Sequence, residues 1–125
     1  MFLVTEEPIH IPSLMAQSVA PENGAIATFT GIVRNHSGEK KVQKLFYEAY
    51  VPMALKSFEE IEKEVRNLWQ ISELSIVHRI GTLSIGEPAV FILTSAPHRK
   101  EALSACAYTI DRIKEISPLW KKEII

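Results

Sequence analysis

The stretch AVFILTSAPHRKEALSACAYTIDRIKEI, residues 89–116, decides how the rest of the chain is read. Its first half is nearly unbroken apolar and β-branched sequence, as in a strand buried by the elements around it. Pro97 interrupts it, and His98, Arg99 and Lys100 follow side by side. The spacing then changes. Ala102, Leu103, Cys106, Ile110 and Ile113 fall on one stripe of an α-helix. Ser117-Pro118 ends that helix, because a residue preceding proline is pushed out of helical geometry. A buried strand that feeds an amphipathic helix implies a sheet with helices packed on it.

The same change of period recurs upstream. VPMALKSFEEIEKEVRNLW, residues 51–69, places Ala54, Leu55, Phe58, Ile61, Val65 and Leu68 on one helical face. Pro52 suits the first turn, where its missing N–H is not needed. Glu59–Lys63 and Glu62–Arg66 are i,i+4 pairs for the wet side. Before it, FLVTEEPI predicts a strand and IPSLMAQSV a short helix, and PENG supplies turn chemistry. AIATFTGIV and VQKLFYEAY predict two strands joined through the polar tip RNHSGEKK, the second returning beside the first. LSIVHRI and AVFILTSA predict two more, linked by GTLSIGEP. Hairpins plus two long helices give an α+β fold on a largely antiparallel sheet. The strand–helix–strand passage from 41 to 79 is also compatible with one crossover unit.

With 125 residues, 46% of them hydrophobic, the chain is expected to be a single domain, 1–125, with a real core. No apolar run nears the roughly 20 residues of a membrane span. MFLVTEEPIH has early acids and no basic n-region, so no secretory signal is expected. One cysteine cannot form an internal disulfide, which fits a cytoplasmic protein. The formal net charge of −1 argues against general nucleic-acid binding, which needs a basic surface. Any positive site is therefore local.

The chemistry-bearing patterns are few. There is no P-loop, no GxGxxG, no HExxH and no serine nucleophile elbow. His10, His36, His78 and His98 are scattered without ligand spacing, so no metal or other cofactor is expected. Cys106 falls on the apolar stripe and reads as a small buried hydrophobe. What remains is basic. His98 and Arg99 stand where a strand gives way to a helix N-terminus; this is either an anion site or simply a soluble loop. Arg34 leaves a strand in TGIVRNH and by itself reads as a surface charge. Lys114 lies in the last turns of the second long helix, where the helix dipole alone explains a cation. Lys121 follows SPLW, which sets its stem beside a packed Trp120, an environment for a base or nucleophile. From His98 to Lys114 is 16 residues, roughly 24 Å of helix at about 1.5 Å each. A modest substrate cannot touch both ends within one chain. Either there are two sites, or a second copy completes one.

FTGIVRNHSG, LFYEAYVPMA, IVHRIGTLSIGE, SAPHRKEA and IDRIKEISPLWKKE, in this order and at matching spacing, resemble the family of large, catalytic subunits of molybdopterin synthase, the MoaE family. The resemblance covers residues 24 to 123. It implies an α/β hammerhead fold with an added antiparallel subdomain. It also implies sulfur transfer from the C-terminal Gly-Gly thiocarboxylate of a small ubiquitin-like partner to cyclic pyranopterin monophosphate, forming the molybdopterin dithiolene. The family's assembly is a homodimer of large subunits with one small subunit at each end, a 2:2 heterotetramer. By motif, Arg34, His98 and Arg99 correspond to substrate-binding positions, and Lys114 and Lys121 to the catalytic lysines. The family continues past WKKE with a Gly- and Trp-containing segment that helps cover the pocket, and the sequence given lacks it. A non-catalytic α+β module that senses an anion is the alternative; it would share the basic strand ends without needing both lysines.

Overall fold

The computed structural model describes all residues from 1 to 125. In chain order the elements are β1 Phe2–Thr5, α1 Ile11–Ala16, β2 Ala25–Ile32, β3 His36–Ser37, β4 Lys40–Lys41, β5 Lys44–Ala49, α2 Val51–Leu68, β6 Glu73–Arg79, β7 Gly81–Ser84, β8 Pro88–Ala96, α3 Arg99–Ile116 and β9 Leu119–Ile124. The expected α+β class is what forms.

β8 is the apolar strand of residues 89–96, and it occupies an inner position in a four-stranded sheet ordered β1-β6-β8-β2. β8 pairs antiparallel with β2 and β6, and β1 pairs parallel with β6. One face carries Ile76, Val90, Ile92 and Ala96 and is covered by α2 and α3 through Phe58, Ile61, Val65, Ala102, Ala105 and Cys106. Small residues on α3 let it approach the sheet closely, and the Thr94 hydroxyl donates to the Ala102 carbonyl at 2.6 Å. The opposite face carries Val77, Phe91 and Leu93 beneath Ile9 and the α1 residues Ile11, Leu14 and Met15. β8 is thus buried along nearly its whole length because both of its faces are covered.

A second sheet, ordered β7-β5-β9 and wholly antiparallel, forms the added subdomain beside the two-stranded ribbon β3–β4. It has a small core of its own in Val33, Val42, Leu45, Leu83 and Ala89. The chain passes from the first sheet to the second at Gly81, whose φ of 91° is one that L side chains rarely adopt.

Four expectations need correction. β5 does not return beside β2. β2 pairs with β8 from Ala25 to Ile32, while β5 carries Leu45 into the second core between β7 and β9. β5, α2 and β6 accordingly join two different sheets and are not one crossover unit. The linker GTLSIGEP contains strand β7, and the segment after Pro118 is strand β9. On the helices, Leu68 and Leu103 are exposed; Ser57 joins the buried stripe of α2, and Ala105 and Thr109 join that of α3.

Candidate functional site

α3 ends where the sequence says it should, at Ser117, with φ −80° and ψ 132°. The Ser117 N–H still donates to the Ile113 carbonyl at 3.0 Å, and its hydroxyl lies 2.7 Å from that of Ser57 on α2. The Tyr50 N–H donates to the Pro118 carbonyl, so the reversal is tied to the start of α2. From this turn β9 runs back antiparallel along β5. Leu119 stands opposite Ala49, Trp120 opposite Glu48 and Lys121 opposite Tyr47. Directly opposed residues project from the same face of a sheet. Lys121 and Tyr47 therefore point one way and Trp120 the other.

That shared face and the end of α3 enclose a cavity of about 350 Å³, within the usual range for a small-ligand site. Val90, Ile110, Ile113 and Leu119 give it apolar walls. Its polar groups are Tyr47, His78, Lys114, Ser117 and Lys121. The two lysines come from different elements, and the Ser117-Pro118 turn is what lets both line one space. Two cations against apolar walls interact with an anion more strongly than they would in open water. The apolar surface beside Lys121 is not Trp120, as the sequence suggests. Trp120 is 58% exposed on the opposite face, and Leu119 and Tyr47 are the neighbours that line the cavity.

Arg34 is exposed just beyond the end of β2, three residues after Gly31, which pairs with the cavity residue Val90. It belongs to the Lys114–Lys121 end of the molecule. His98 and Arg99 do not. They are exposed at the opposite end of α3, an 18-residue helix that spans roughly 27 Å. His98 is the N-cap in extended conformation, with no side-chain hydrogen bond to the first turn. The backbone N–H groups there remain free for an anion.

Two cavity residues escape the sequence reading, Tyr47 and His78. Burial pushes the Tyr47 phenol up from its ordinary value. Burial also holds the His78 imidazole down, against the opposing effect of its bond to the Arg79 carbonyl. Both are neutral groups at neutral pH, one a donor and one with a free acceptor. A histidine inside an apolar strand pattern gives no signal that separates it from a core residue; only the register against β8 and the position of β5 do. No helix of the chain is long and apolar enough to cross a membrane.

The family model described as MoaE protein matches residues 4–116. The molybdopterin synthase catalytic subunit of Bacillus subtilis (strain 168) is 46% identical over 123 residues, which are 98% of this chain and 78% of that protein. The corresponding protein of Staphylococcus carnosus (strain TM300) is 46% identical over the same length, 98% of this chain and 82% of its own. The crystal structure of molybdopterin synthase from Staphylococcus aureus superposes with a TM-score of 0.92 at 45% identity, covering 97% of this chain and 88% of that one. With the fold, the order of motifs and near full-length identity in agreement, the chain belongs to the MoaE family, that of the molybdopterin synthase catalytic subunits.

Proposed function

We propose that this chain is the sulfurtransferase subunit of a cytoplasmic molybdopterin synthase. It takes sulfur from the C-terminal Gly-Gly thiocarboxylate of a small ubiquitin-like partner and passes it to cyclic pyranopterin monophosphate, forming the molybdopterin dithiolene. Two large subunits form a dimer, and one small subunit binds at each end. The observation that carries this reading is the convergence of Lys114 and Lys121 on one largely apolar cavity. A Gly-Gly tail has no side chains, so its backbone can approach the cavity walls closely.

The nucleophile arrives with the partner. Its thiocarboxylate sulfur attacks a side-chain carbon of the pterin, so the large subunit needs no reactive thiol of its own. What it contributes is positioning, charge neutralisation and proton transfer. Lys121 holds the partner's terminal carbonyl, and Lys114 steadies the negative charge that develops as sulfur is transferred. Arg34, at the same end, takes part in holding the substrate's phosphate and pterin. His98 and Arg99 complete that contact from the second copy, since their own chain holds them a helix length away.

The test is single-turnover conversion of cyclic pyranopterin monophosphate by the chain mixed with thiocarboxylated small subunit, with Lys121→Ala run alongside. The parent is expected to form product, and the variant to do so at least about 100-fold more slowly. Equal rates would remove Lys121 from the chemistry.

A further inference from the structure

The chemistry proposed above leaves three polar groups of the cavity unused, Tyr47, His78 and Ser117. His78 is 5% exposed, on a strand whose neighbours Ile76 and Val77 are core. One of its ring nitrogens is committed. Nδ1 lies 2.7 Å from the Arg79 carbonyl oxygen, and a carbonyl can only accept, so the hydrogen is on Nδ1. Nε2 therefore carries a lone pair, and no hydrogen bond within the chain reaches it. The ring is held a second time by Tyr47, edge to face, with centroids 5.0 Å apart and planes at 73°. Nε2 is not one of the enclosed polar atoms that lack a partner, so it opens on to the cavity. The ring lines that space beside Lys114 and Lys121.

The surroundings of the ring come from every packed element. β5 brings the Tyr47 phenol, α3 brings Lys114 and β9 brings Lys121. Across the sheet, β1 offers Val4 and β8 offers Val90, neither of them charged. The adjacent Arg79 is occupied elsewhere, donating to Glu87 Oε2 at 2.8 Å and to the Glu6 carbonyl at 3.1 Å. The cavity thus contains one imidazole with a free acceptor, two lysines, and the hydroxyls of Tyr47 and Ser117.

Resting on the sulfur-transfer reading above, we infer that His78 is the general base that activates water for the hydrolysis releasing the partner subunit. Once the thiocarboxylate sulfur has bonded to the pterin carbon, the partner's terminal glycine and the pterin are joined through a thioester. Water's oxygen then bonds to the thioester carbon while His78 Nε2 takes its proton. The carbon–sulfur bond to the glycine breaks, and its electron pair stays on sulfur as the pterin thiolate. The partner leaves as a carboxylate after losing the remaining proton to solvent, and the imidazolium returns its own proton to solvent. Tyr47 and Lys121, on one face of the sheet, are the donors for the oxyanion that forms at the thioester carbon. Burial holds the imidazole below its ordinary value, against the opposing effect of its bond to the Arg79 carbonyl, and so favours the unprotonated form that this role requires.

The experiment uses the reconstituted complex with thiocarboxylated small subunit and cyclic pyranopterin monophosphate, quenched over time and read by intact mass. His78→Gln places an amide near the Nε2 position without its basicity. His78→Asn keeps a donor for the Arg79 carbonyl. Both variants are expected to form the partner–pterin adduct at close to the parent rate and to hydrolyse it about 100- to 10,000-fold more slowly, so that the adduct accumulates. The parent's hydrolysis rate should fall with acid below the ordinary imidazole range, and that limb should vanish in the variants. Release at the parent rate from either folded variant would overturn the assignment, as would equal loss of both steps. A parent profile without an acid limb would overturn it with no variant needed. A parent complex that forms no adduct would overturn the sulfur-transfer reading and this assignment together; a parent that turns over while the variants keep pace removes His78 alone.

Discussion

Cys106 lies on the same helix as Lys114, eight residues before it, and takes no part in the chemistry proposed here. Its side chain is packed with Ala102, Ala105 and Ile92 in the main core. Burial pushes its thiol up to about 11, against the smaller effect of the Thr94 hydroxyl. At pH 8 roughly a thousandth of such a side chain is thiolate, against about a quarter for a free cysteine. The folded protein should therefore react with a disulfide reagent at least about 100-fold more slowly than the urea-unfolded chain; comparable rates would mean the thiol is not enclosed. Among single residues, Lys114 and Lys121 were legible from sequence because they lie in ordered motifs of the family. Cys106 was legible because it falls on an apolar stripe. His78 and Tyr47 were not, since their polar atoms are brought to the cavity by strand register, which no local pattern encodes.

At the scale of elements, α2 and α3 are clamped by a polar cluster on their outer side. Arg112 of α3 donates to both carboxylate oxygens of Glu64 on α2, at 2.8 and 3.1 Å, and the Tyr108 hydroxyl donates to the same carboxylate. The Arg112 bond first, then that of Tyr108, holds the Glu64 carboxyl below its ordinary value. A carboxyl lowered in the folded state contributes stability above its unfolded value and loses it as pH falls through the folded one. The side chain is 33% exposed, so solvent screens the pair and the contribution is modest. Glu64→Gln should lower Tm by about 2 °C at neutral pH, and melts in acid should show the difference disappearing. A difference that grows in acid would contradict this origin. The long helices were legible because their 3.6-residue period runs for many turns. β9 was not, because Trp-Lys-Lys-Glu offers no apolar alternation, and its strand form depends on pairing with β5. The partner of β5 is not encoded locally either: polar sequence between two strands suggests a hairpin, and only the second core around Leu45 and Leu83 draws β5 away from β2.

For the whole molecule, the decisive dimension is the length of α3. Within one chain it separates His98 and Arg99 from the Lys114–Lys121 cavity, so a single substrate reaches both only if a second copy supplies one end. The surface offers a place for that copy. β2 is an edge strand, and on it Phe29 is 37% exposed, while Leu103 on the adjoining α3 is 60% exposed. A copy laid antiparallel along this edge about a two-fold axis would bring each His98–Arg99 end toward the other chain's cavity. A composite site of this kind has a distinctive consequence. Lys121→Ala and Arg99→Ala homodimers should each be nearly inactive, because each lacks one half of both sites. Mixed by co-refolding, half of the dimers carry both lesions in one site and none in the other, so about a quarter of the parent's sites are restored. Recovery to that level in single-turnover product would establish sharing between subunits. If the mixture stays as inactive as its parts while heterodimers are shown to form, all of the essential groups act within one chain, and Arg99 must reach substrate in a way that its distance along α3 does not allow.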